Sequence, residues 1–73
     1  MNIENTIMKW KELLNQQKYD LEIFQIEKDK SISENGWYDK GIDIQIYNSK
    51  LIITYFEYFI KDLEKVNQLL KEK

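Results

Sequence analysis

Gly41-Ile42-Asp43-Ile44-Gln45-Ile46-Tyr47-Asn48-Ser49-Lys50-Leu51-Ile52-Ile53-Thr54-Tyr55 is the stretch on which the fold turns. Its first half alternates apolar and polar residues, the period of a strand whose two faces meet different surroundings. Its second half is rich in β-branched and aromatic residues, the types that fit a pleated sheet. Asn48-Ser49 reads as a tight turn that sets Leu51 and Ile53 opposite Ile46 and Ile44 on one face. From Thr54 the spacing changes. Thr54-Tyr55-Phe56-Glu57 fits a capping box with Ile53 and Tyr58 at the staple positions. Ile52, Phe56, Phe59, Ile60, Leu63, Val66 and Leu70 then form a helical stripe. The expectation is a short strand over 50–53 and a helix from about residue 55 to 71, with one long helix from near Ser49 as the alternative.

Upstream, Leu21, Ile23, Phe24 and Ile26 precede a polar segment and the turn signal Glu34-Asn35-Gly36. A three-residue loop with Gly36 in the left-handed position pairs Ile26 with Ile44, Phe24 with Ile46 and Ile32 with Tyr38, whereas a two-residue loop mixes the faces. At the start of the chain, Ile3, Ile7, Trp10, Leu14 and Gln17 are spaced as a helix over 2–18, with Asn2 as N-cap and Glu4 in the first turn. The expected fold class is therefore α+β: an α-β-β-β-α order, a three-stranded antiparallel meander with both helices on one face. The 73 residues form a single domain (1–73). Its expected core is Ile7, Trp10, Leu14, Phe24, Ile26, Ile42, Ile44, Ile46, Leu51, Ile53, Phe56, Phe59, Ile60, Leu63 and Val66.

Composition removes whole classes of chemistry. The chain has no Cys, His, Pro, Arg or Ala. Thiolate and imidazole metal sites are excluded, as are Ser-His and Cys-His nucleophile pairs. Without Arg, bidentate recognition of phosphate or guanine is missing. Eleven Ile, eleven Lys, six Asn and five Tyr suggest an AT-rich gene, of the kind found in low-GC bacteria and their phages. No segment has the basic and apolar pattern of a signal peptide, and Leu51 to Ile60 is too short to span a bilayer, so a cytoplasmic location is expected.

Acidity is concentrated in the middle of the chain. Residues 20–48 hold seven carboxylates against three lysines, although the whole chain carries a net charge of only −2. In the expected register Glu27, Asp29, Asp39 and Asp43 share the outer sheet face, with Trp37 near the tip and Tyr47 further down. Carboxylates steer an encounter with a cationic surface and a buried aromatic anchors it. These six residues are the candidate partner-binding site. The carboxylates have little apolar cover to separate their pKa values, and Asp39-Lys40-Gly41-Ile42-Asp43 supplies too few oxygens for Ca²⁺. No catalytic residue, metal or cofactor is expected, and the chain is read as non-enzymatic. Lysines on the two helices alternate with Glu12, Glu57, Asp62, Glu64 and Glu72, which breaks up any basic stripe for nucleic acid or a membrane. Tyr55-Phe56-Glu57-Tyr58-Phe59 carries more aromatics than one core face covers, so Tyr55 or Tyr58 is left for an interface.

The run Gly36 to Tyr47, followed by Leu51 to Phe56, resembles small bacterial immunity proteins that protect cells against contact-dependent or secreted nuclease toxins. Phage anti-defence inhibitors of the anti-CRISPR kind share the same small, acidic style. The resemblance has no diagnostic motif and carries over no functional residue. It implies an inhibitor or immunity protein that neutralises a toxin or nuclease with a basic surface. The reading from the other class is a small homodimeric structural or regulatory protein, pairing through a strand edge or through Tyr55 and Tyr58.

Overall fold

The computed structural model describes residues 2–72, which form two long helices and a short loop: α1 (Ile3–Asn35) and α2 (Gly41–Lys71). The helices run antiparallel, with Glu4 paired to Lys71 at the open end and Lys28 paired to Asp43 near the loop. Together they make a rod of 60 × 15 × 15 Å. There is no strand among the described residues. The α+β expectation, with its three-stranded meander, is overturned in favour of a helical hairpin.

The reason lies in two heptad stripes. On α1, Ile3, Ile7, Trp10, Leu14, Gln17, Leu21, Phe24, Lys28 and Ser31 are spaced alternately by four and three, and all are buried or half-buried. On α2 the same spacing runs through Ile42, Ile46, Ser49, Ile53, Phe56, Ile60, Leu63 and Asn67, again all buried or half-buried. Spacing of this kind keeps one side of each helix turned toward its partner along the full length of an antiparallel pair. The period-two pattern of Ile42, Ile44 and Ile46 comes from sampling both sides of one helix. Ile42 and Ile46 are four apart and face α1, while Ile44 points outward and is exposed.

The ends of the helices follow their local chemistry. Asn2 has an extended backbone, and its side-chain oxygen accepts from the Glu4 N–H at 2.9 Å, as an N-cap should. The first helix does not stop at residue 18; it runs on to Asn35, where Gly36 adopts φ 76° and its N–H donates to the Ile32 carbonyl at 2.9 Å. The left-handed Gly36 is therefore a helix C-cap and not part of a strand hairpin. Asp39 starts α2 by accepting from the Gly41 N–H at 2.8 Å. Asn48 and Ser49 lie inside α2, and the Thr54 hydroxyl, expected to cap a helix, donates to the Lys50 carbonyl one turn back at 2.9 Å.

The core is thin. Among the described residues, Ile7, Ile53 and Ile60 are the buried apolar ones, and Ser49 is buried as well. Trp10 meets Phe56 and Phe59 edge-on, with ring centroids 5.2 and 4.9 Å apart. Of the expected core, Ile26, Ile44, Leu51, Phe59 and Val66 are exposed. The expected pairing of Ile26 with Ile44 is absent, since both face solvent.

Candidate functional site

Two surfaces of the rod differ sharply in character. On one flank, charged side chains pair across the helices: Lys11 with Glu64 at 3.7 Å, Lys71 with Glu4 at 2.8 Å and Lys28 with Asp43 at 2.8 Å. The Glu4 carboxyl is held below the usual carboxylate range, chiefly by the hydrogen bond and charge of Lys71, with Asn67 adding a further hydrogen bond. Shallow grooves run along this flank, one of about 360 Å³ lined by Lys11, Leu14, Asn15, Glu57, Ile60, Lys61 and Glu64. They are open, lined by charged and polar side chains, and among the described residues they bring together no nucleophile with an acid–base partner. Among the described residues no three carboxylates converge as ligands for a metal ion.

The outer side of α2, turned away from α1, is largely apolar, interrupted by Asn48, Asp62 and Lys65. Ile44, Tyr47, Leu51, Tyr55, Tyr58, Val66 and Leu69 lie along it, all exposed, with Tyr55 and Tyr58 each 65% exposed. Ile52, Phe59 and Leu70 extend this surface around the flank opposite the ion pairs, and they are exposed as well. The outer side of α1 is different: Met8, Tyr19 and Ile26 are isolated among Asn5, Glu12, Asn15, Glu22 and Asp29. Single exposed apolar residues are ordinary, whereas a continuous apolar stripe marks a surface that is covered by something. Helical apolar positions on two opposite sides belong to a helix with neighbours on both sides.

The six candidate residues cluster at the loop half of the rod but not on one face. Glu27 and Asp29 are exposed on α1, about 160° apart around it by helical geometry. Asp39 is occupied by the hydrogen bond it accepts from the Gly41 N–H at the start of α2. Asp43 accepts from the Lys28 ammonium at 2.8 Å and from the Tyr38 hydroxyl at 2.7 Å, while that ammonium sits 4.6 Å from the centroid of the Tyr38 ring. These two hydrogen bonds, from Lys28 first and Tyr38 second, lower the Asp43 carboxyl below its ordinary value. Lys28 is correspondingly raised, mainly by its bond to Asp43. Trp37 stands out in the loop at 68% exposure, and Tyr47 lies on the apolar side of α2. The carboxylate strip on a sheet face is thus replaced by a dispersed acidic tip in which Asp39 and Asp43 serve the fold.

The residues missed by the sequence reading are Ile44, Leu51, Val66 and Leu69, which were assigned to the core or to no site. Their signal was present. Once Ile42, Ile46, Ser49 and Ile53 are recognised as one heptad seam, these four fall on the opposite side of the same helix. Comparison with known protein families, curated proteins and solved structures gives no match for this chain. No described helix is long and apolar enough to cross a membrane.

Proposed function

We propose that this chain is a non-enzymatic protein-binding module whose working surface is the outer side of α2. The observation that carries the reading is the row Ile44, Tyr47, Leu51, Tyr55, Tyr58 and Leu69, large side chains left exposed along one side of a helix whose other side is already packed. Tyrosines present much contact area for little entropy loss and are common energetic anchors in protein interfaces. A photo-reactive phenylalanine analogue at position 55 tests this in cells. Protein adducts from position 55, with none from position 22 on the polar side of α1, are expected. Equal labelling from both positions overturns the reading.

A second surface supports the inhibitor reading. Trp37 projects from the loop that follows the exposed Glu34, and Glu27 and Asp29 are exposed further back along α1. A basic protein surface, such as that of a toxin or nuclease, is drawn to such a tip by charge and held there by the indole. In this reading the protein works in the cytoplasm as an immunity or anti-defence inhibitor. Trp37→Ala is expected to speed dissociation of a basic partner and Glu34→Lys to slow its association. Wild-type kinetics for both variants exclude the tip.

A further inference from the structure

We infer that the outer side of α2 is covered by a second copy of this chain, packed antiparallel so that the two α2 helices lie side by side between the two α1 helices in a four-helix layer. The inference rests on the reading of that side as a protein interface and names its occupant.

The stripe is close to a palindrome. Ile44 and Leu69, Tyr47 and Val66, and Tyr55 and Tyr58 are each equidistant from one point, between Phe56 and Glu57. That point is also the middle of α2 (Gly41–Lys71). A two-fold axis there lays the stripe on itself, which is the self-complementarity an isologous dimer requires. Aliphatic ends meet aliphatic or aromatic ends, and the Tyr55 and Tyr58 pairs meet at the centre. The one departure sets Leu51 opposite Asp62, one turn from the tyrosine hydroxyls at positions 47 and 55 of the other copy.

Charge permits this arrangement. The half of α2 nearest the loop holds Asp43 and Lys50, and the other half holds three carboxylates and three lysines, so neither half repels the one it meets.

Area gives the third argument. The chain exposes 5936 Å², whereas a compact monomer of 9.0 kDa exposes about 4,900 Å². The surplus of about 1,100 Å² covers the roughly 800 Å² per partner of a standard stable interface. A core with only three buried apolar side chains among the described residues also calls for a partner present whenever the chain folds. A second copy always is.

The test begins with sedimentation equilibrium on the full chain, where twice the 9.0 kDa monomer mass is expected. Tyr55→Glu with Tyr58→Glu is expected to halve that mass. Because the variant could unfold on dissociating, geometry is read separately from single cysteines in this cysteine-free chain. An Ile44→Cys chain mixed with a Leu69→Cys chain should be joined by a short bis-maleimide, and each alone much less. Preferential joining of Ile44→Cys chains to each other overturns the antiparallel arrangement. A helical wild-type monomer overturns the second copy and leaves the α2 surface to a different protein. A dimer that survives both glutamates, still helical, overturns the second copy at this surface, and the photo-crosslinking at position 55 then decides the reading of the surface itself.

Discussion

At the open end of the rod, Trp10 packs edge-on against Phe56 and Phe59, and Ile7 and Ile60 are buried close by along the same seam. At the loop end the seam carries Lys28 and Ser31, and the link between the helices is an ammonium, a carboxylate and a phenol: Lys28, Asp43 and Tyr38. The two ends therefore do different work. Aromatic and aliphatic burial supplies free energy with little demand on orientation. The polar cluster is directional, and it satisfies its members only when Lys28 of α1 lies level with the first turn of α2. One end stabilises the hairpin and the other sets its register, a division in which a polar group in a seam contributes specificity and little stability.

The sharpest way to break this comparison is at the aromatic end. Trp10→Ala is expected to cost about 3–5 kcal/mol, enough to unfold so thin a core, as followed by thermal circular dichroism. Ile60→Ala should cost about 2–5 kcal/mol by the same mechanism. If either variant melts like the wild type, the open end is not where the stability resides.

Smaller effects are expected around the loop. Gly36→Ala forces a side chain into the left-handed region at φ 76°, with no neighbour within 4 Å of the added carbon, so only the backbone term of about 1–2 kcal/mol applies. Smallest is Lys28→Leu, which extends the apolar seam while removing the Asp43 partner. It should change the melting temperature little, because the added apolar burial offsets the loss of a partner from a carboxylate that stays solvated, yet change the pH response. In the wild type the stability contributed by Asp43 is present above the ordinary carboxyl value of 3.8 and is lost as pH falls through its lowered folded value. In Lys28→Leu, a ¹³C titration of the Asp43 carboxyl should move its midpoint upward toward 3.8. An unchanged midpoint would show that Tyr38 alone holds the carboxylate.

Much of the local chemistry was legible in the sequence. Asn2 as a cap, the Ile3-Ile7-Trp10-Leu14 seam, Gly36 in the left-handed region and the inward phase of Phe56, Ile60 and Leu63 all follow from spacing and side-chain type. The strands were misread for two physical reasons. Gln17, Lys28, Ser31, Ser49 and Asn67 occupy seam positions, so the heptads look broken when only apolar residues are followed. On α2 both sides are apolar, and Ile42-Asp43-Ile44-Gln45-Ile46 then shows a period of two although the backbone period is 3.6. The same double-sided helix dispersed the candidate site. Exposure of Tyr55 or Tyr58 was anticipated, but both are exposed, and their neighbours Ile44, Leu51 and Leu69 could be seen as one surface only after the helix was known to be continuous.

The rod's shape also governs how the molecule tumbles. At 60 Å long and 15 Å across, it spins about its long axis faster than it turns end over end. Amide N–H bonds in both helices lie close to that axis, so their ¹⁵N relaxation senses almost only the slow, end-over-end rotation. Relaxation ratios should be uniform from Ile3 to Asn35 and again from Gly41 to Lys71, with a break at the loop amides of 37–39 whose orientations differ. Size-exclusion retention, which follows the slow dimension, will make even one copy elute as if it were larger than its mass.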